Sequence, residues 1–217
     1  MSRKCLDRCL NKFNETNIAT EYMMECAIQN DAVNFISQLI NGGIKVTDNM
    51  VYLAICEHAV DTLSLFLEYG IQPTALMLEK VIRTNNIYMV NLLIQYEIPL
   101  TSEMLKIAIS LDSYYIADLL LEYDVEVTAN TLEILVQRMC DVKKDYLSDE
   151  IYILDILIKK DIPNKLDIIK PILQEFILEE AVNERNTKIV KLLIDNGVKP
   201  SKTLVDIGAL LCHSKTE

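Results

Sequence analysis

A chain of 217 residues, 51% hydrophobic and 24% charged, is long enough to bury a sizeable core, and its 5 glycines and 5 prolines argue against a β-rich or linker-rich design. The net charge of −11 opposes binding to nucleic acid or to an anionic membrane surface, because phosphate recognition needs a basic footprint. No apolar run approaches the roughly 18 residues of a membrane-spanning helix, and the opening MSRKCLDRCLNKFNE is too polar for a secretory signal. The expectation is a cytoplasmic protein that engages neither nucleic acid nor membrane.

In chain order, Ser2–Asn14 reads as a polar helix suited to covering the open end of a helical stack. Cys5 and Cys9 lie one helical turn apart within it and together offer two thiolates to a metal. Zinc takes four ligands, and no second pair stands at the usual spacing. The two are therefore expected to be small half-buried residues of a reduced protein, with no metal and all six cysteines free. From Thr20 onward a pattern repeats: Thr20, Thr47, Thr74, Thr101 and Thr128 follow one another at 27 residues. Each threonine is placed to N-cap a first helix. Four residues later come Met24, Val51, Leu78, Leu105 and Leu132, and then the pairs Ala27-Ile28, Ala54-Ile55, Val81-Ile82, Ala108-Ile109 and Leu135-Val136. That spacing forms one buried helical stripe. The Met23, Met50, Met77 and Met104 column is expected to pack in the core or at its edge.

A polar turn such as Arg83-Thr84-Asn85 separates each first helix from a more apolar second one, for example Ile87, Val90, Leu93 and Ile94. The second helix ends in a column of Gly43, Gly70, Glu97, Asp124, Asp161 and Gly197, where glycine suits a left-handed stop and Glu97 is the poor fit. The fifth copy adds about ten residues, RMCDVKKDYLSD, to its turn between Gln137 and Glu150 (residues 138–149). The sixth carries KLDIIKPIL at 165–173 ahead of its first helix. After Ser201 a half copy, with Leu204, Val205, Gly208 and Ala209 in the first-helix columns, reads as a closing cap. Cys212 and His213 point about 100° apart on that helix and do not form a nucleophile–base pair.

NLLIQYEIPLT, LFLEYGIQPT and KLLIDNGVKPS are similar to the "VVKLLLxxGADVN" half of an ankyrin repeat, and NN-IYMV resembles its "GH-xxVV" turn. The resemblance spans about Thr20 to Ser201. The "TPLH" start is replaced by Thr-x-x-Met/Leu, and the period is shorter than the roughly 33 residues usual for the family. These look like ankyrin repeats whose β-hairpin finger is trimmed to a tight turn, similar to repeats of large DNA viruses and some protists. The resemblance implies an all-α solenoid of about six helix-turn-helix pairs. It comprises an N-terminal capping helix (1–19), copies at 20–46, 47–73, 74–100, 101–127, 128–164 and 165–201, and a capping helix and tail at 202–217.

No Gly-rich phosphate loop, His-Glu-x-x-His or Gly-x-Ser-x-Gly occurs, and His58 falls in a turn where a structural hydrogen bond is expected. The expected function is a non-enzymatic scaffold, with no cofactor, that binds a partner protein through the concave face of the solenoid. The chain is expected to be a monomer or to self-associate weakly; the alternative is a structural or assembly protein, for example virion-associated, that self-associates through its solenoid faces. In ankyrin-like stacks the end of the first helix faces the concave side. Positions six, nine and ten after each threonine are therefore expected to face solvent: Cys26, Gln29 and Asn30; Leu53, Cys56 and Glu57; Lys80, Arg83 and Thr84; Ile107, Ser110 and Leu111. Of these, Leu53, Glu57, Lys80, Arg83, Ile107 and Leu111 are the candidate partner-binding residues, apolar anchors beside a charged rim.

Overall fold

The computed structural model describes residues 3–141, 148–160, 162, 165–169, 178, 181–182, 187–195 and 197–199. Every regular element among them is a helix, and none of these helices is long and apolar enough to cross a membrane. The chain divides into two bodies, Met1–Leu100 and Thr101–Glu217, and the division falls on one of the recurring threonines.

The N-terminal body holds α1 (Arg3–Thr16), α2 (Glu21–Ile28), α3 (Val33–Asn41), α4 (Asp48–Cys56), α5 (Val60–Glu68), α6 (Ala75–Arg83) and α7 (Ile87–Ile94). Each first helix starts as expected. Thr20, Thr47 and Thr74 are extended, and each hydroxyl accepts the amide of the residue three on, at 3.3, 3.4 and 3.2 Å. This satisfies an amide that has no partner inside its helix. Helices α2 and α3, α4 and α5, and α6 and α7 pack as pairs. Between pairs, α2, α4 and α6 touch in one row and α3, α5 and α7 in another. The Met24, Val51 and Leu78 column and the Ala27-Ile28, Ala54-Ile55 and Val81-Ile82 pairs are buried, as are Leu63, Phe66, Val90 and Leu93 from the second helices. Met23 and Met50 are buried and Met77 is half-buried, so the methionine column is packing. At the start of the chain α1 lies on α2, and Phe13 meets Phe35 of α3 edge to face at 5.7 Å.

Two left-handed residues punctuate each copy of the N-terminal body, where the sequence pattern shows one. Gly43 and Gly70 close their second helices at φ 102° and 93°, and Glu97 adopts φ 55° in the same column despite its side chain. At Gly43 and Gly70 the stop amide and the one after it bond back into the last turn, Gly70 to Leu67 and Ile71 to Phe66 for instance. The second column is the turn inside each pair: Asp31, His58 and Asn85, at φ 47°, 56° and 53°. Ala32 and Ala59 donate back to the carbonyls of the buried Ala27 and Ala54, at 3.0 and 2.9 Å, which closes the same kind of stop. Two of these turn residues also reach the next pair. Asp31 Oδ1 accepts from the Thr62 amide (2.9 Å) and the Thr62 hydroxyl (2.6 Å), and His58 Nδ1 lies 3.3 Å from Asn86 Nδ2.

The C-terminal body holds α8 (Ser102–Ser110), α9 (Tyr114–Glu122), α10 (Ala129–Asp141), α11 (Ser148–Leu157), α12 (Lys165–Ile169) and α13 (Thr187–Asp195). Thr101 and Thr128 cap as their counterparts do, at 3.4 and 3.3 Å. Asp112 and Asp124 take the two left-handed positions, both at φ 55°. Helix α8 pairs with α9 and packs along α10; α10 contacts α11 and α12, and α11 contacts α9 and α13. The extra residues of the fifth copy do not all enter a turn. α10 runs to 13 residues where the other first helices have 8 or 9, so Arg138 to Asp141 continue the helix. Residues 142–147 of that insertion lie outside the described residues. Of the 165–173 stretch, 165–169 is itself helical, and Lys165 Nζ sits 2.7 Å from the carbonyl oxygens of Ile158 and Lys160 beyond the end of α11. Asp161, the capping segment 202–217 and Cys212-His213 lie outside the described residues.

A buried polar group forms where α9 meets α11. The Tyr114 hydroxyl lies 2.8 Å from Asp112 Oδ1 and 3.2 Å from Glu150 Oε1, and Arg138 Nε donates to Asp112 at 3.0 Å. Burial, then the hydrogen bond to Asp112, pushes the Tyr114 hydroxyl well above the ordinary tyrosine range. In the unfolded chain this group ionises near about pH 10, whereas in the fold it stays neutral to higher pH. Its stabilising contribution is therefore fully present below about pH 10 and lost as pH rises past that value. Tyr114→Phe removes the contribution. In urea denaturation the stability gap between wild type and this variant is expected to narrow between about pH 8 and about pH 11; a gap independent of pH contradicts the assignment.

Candidate interaction face and thiol cluster

The first-helix positions expected to face solvent divide by column. In the N-terminal body, Glu57 follows α4 and Arg83 ends α6, and both are exposed. Leu53 and Lys80, in column six, are half-buried. The Lys80 ammonium lies 4.0 Å from the centroid of the Tyr52 ring, and this cation–π contact ties α6 to α4. Tyr52 is 49% exposed and belongs to the same face, although no sequence column marks it.

Cys26 and Ile107 correct the expectation outright, at 1% and 4% exposed. Each stands one turn beyond a buried methionine, Met23 and Met104, and so shares its stripe. Ile107 is core in the C-terminal body, where the long α10 packs along α8, and it is not a surface anchor. Leu111, just after α8, is 45% exposed, as expected.

Burying Cys26 has a chemical result. Cys5 and Cys9 project from α1 and Cys26 from α2, and the three Sγ atoms lie within 4.8 Å of one another. Cys26 donates its S–H to Cys5 Sγ at 2.8 Å, and the Tyr22 hydroxyl stands 3.2 Å from the same sulfur. Cys9 and Cys26 are buried, while Cys5 is half-buried at the mouth of a cleft of about 340 Å³, whose wall also carries Lys4, Arg8 and Lys12. The hydrogen bond from Cys26, followed by that from Tyr22, lowers the Cys5 thiol below its ordinary value. Burial first, then donation to Cys5, pushes Cys26 up to about 12, and burial raises Cys9. Sequence spacing reveals Cys5 and Cys9 as neighbours, but Cys26 joins them only through the packing of α1 on α2.

His58, the one histidine among the described residues, bridges to Asn86. Comparison with protein-family models, with curated proteins and with solved structures finds no match to this chain.

Proposed function

We propose that the chain is an ankyrin-like solenoid of about six helix pairs with terminal caps, and that it acts without chemistry of its own as a scaffold for a partner protein. The observation that carries this reading is the pair of helix rows in the N-terminal body, α2–α4–α6 and α3–α5–α7. Elements that touch mainly their neighbours in sequence expose an extended face, and such faces suit proteins better than small substrates. At the ends of the first helices Glu57 and Arg83 are exposed beside the half-buried Leu53 and Lys80, and Leu111 is exposed after α8. Their chemistry changes from copy to copy, while the core columns beneath repeat.

Crosslinking and mass spectrometry in the native cell names the partner, and a binding assay with that partner tests the face. Replacing Leu53, Glu57 and Arg83 together with alanine is expected to weaken affinity at least roughly tenfold, about 1.4 kcal/mol, and Leu111→Ala to weaken it separately. Asp61→Ala with Tyr88→Ala, both exposed on second helices, is expected to leave affinity unchanged. The opposite pattern in folded variants sinks the proposal. Concentration-dependent homo-oligomers in light scattering, with no foreign partner, replace it with self-assembly.

A further inference from the structure

We propose that Cys5, Cys9 and Cys26 form a binding site for a thiophilic metal ion, zinc in the first instance, with its fourth coordination position open to the cleft. This departs from the sequence expectation, which rests on two thiols and lacks the third. Zinc–sulfur bonds of about 2.3 Å place tetrahedral thiolates about 3.8 Å apart. The three Sγ atoms already stand within 4.8 Å of one another. Cys5 and Cys26, at 2.8 Å, need to part by about 1 Å to reach that spacing. Cys5 is half-buried and faces the cleft, so rotation of its side chain supplies the movement.

The surroundings match the charge and geometry such an ion imposes. Three thiolates with one divalent ion leave a net charge of −1, and Lys4, Arg8 and Lys12 on the cleft wall offset it. The Tyr22 hydroxyl stands 3.2 Å from Cys5 Sγ, where it orients a ligand sulfur from outside the coordination shell. Two donors come from α1 at i and i+4 and the third from α2, so their spacing is held by the packing of α1 on α2 and by the Phe13–Phe35 contact. A disulfide between Cys5 and Cys26 uses two of the thiols and leaves Cys9 idle, whereas an ion uses all three. Three protein ligands leave the fourth position to water. Bound there, the ion fastens the first helix of the chain to the second.

The test uses the full chain, reduced and then handled without oxygen, and titrated with Zn²⁺ against a chromophoric chelator. Co²⁺ serves as a spectroscopic stand-in whose thiolate charge-transfer absorption reports sulfur ligation. One ion per chain is expected, with a melting temperature that rises on zinc addition, since the ligand set exists only in the folded state. Cys5→Ser, Cys9→Ser and Cys26→Ser should each abolish stoichiometric uptake and the cobalt absorption. Cys56→Ser, at an exposed site outside the cluster, should change neither. Should Cys26→Ser fail to fold, Cys5→Ser decides, because Cys5 is half-buried. Failure to take up one equivalent, uptake that survives Cys5→Ser, or uptake lost in Cys56→Ser overturns the proposal. Protein isolated with Cys5 joined to Cys26 in a disulfide overturns it in favour of a redox pair.

Discussion

Phe66→Ala is expected to lower the free energy of unfolding by about 3–5 kcal/mol, the range for truncating a fully buried phenylalanine. Phe66 is 0% exposed and stands first among the largest fully buried side chains. Its helix, α5, contacts α3, α4 and α7, so a void at this fully buried position opens among packed helices. A cavity so enclosed collapses only in part, which places the cost toward the upper end of the range. The Phe66 carbonyl also accepts from Ile71 in the stop that follows, so relaxation of the backbone into the void disturbs that turn. Urea denaturation with an unchanged slope is the measurement. A loss below about 1 kcal/mol would mean that α5 is not packed on both sides.

Asp31→Ala comes next, with an expected loss of about 1.5–3 kcal/mol, the scale of hydrogen bonds to a charged partner. The N-cap position of helix α5 is Ala59, which has no side chain able to cap it. The cap comes instead from the preceding pair: Asp31 accepts both the amide and the hydroxyl of Thr62, and Thr62 is 0% exposed. Removing the carboxylate leaves two buried donors without that partner and withdraws a negative charge from the positive end of a helix. A double-mutant cycle with Thr62→Val separates the terms, because the hydroxyl is deleted while the amide remains. Strict additivity in that cycle would show that the bond from the Thr62 hydroxyl contributes nothing beyond the one from its amide.

What could be read in advance was local. The threonine caps and the apolar columns at four, seven and eight depend on one helix at a time, and each was found where the spacing puts it. What escaped depends on a neighbour. Column six reads as solvent-facing on an isolated helix, yet Cys26 and Ile107 are buried, because the stripe they share with Met23 and Met104 is covered. The left-handed turn residues Asp31, His58, Asn85 and Asp112 share no residue type beyond a polar side chain, so no glycine signals their conformation. Glu97 likewise shows that the stop is imposed by the helix end rather than by the residue occupying it. The thiol cluster was two-thirds visible, and its third member came from another helix. Of the candidate residues, Leu53, Glu57, Lys80 and Arg83 in the N-terminal body and Leu111 in the C-terminal one are exposed or half-buried, and Tyr52 has no periodic signal at all.

The turn residues that reach forward also bear on how such a chain can change over time. Asp31, His58 and Asp112 occupy the same place in their copies, but their partners do not: Thr62, Asn86 and Arg138 stand fifteen, twelve and ten residues after their own threonines. At these three junctions, then, the same turn position meets a different partner each time. Excising residues 47–73 preserves the period and the apolar columns, yet it brings the thioether of Met89 to the place where Asp31 finds the Thr62 hydroxyl. Copies that look interchangeable in their cores have become order-specific at their seams. Loss of residues 47–73 is therefore expected to break the Asp31–Thr62 hydroxyl contact even though the apolar columns stay in register.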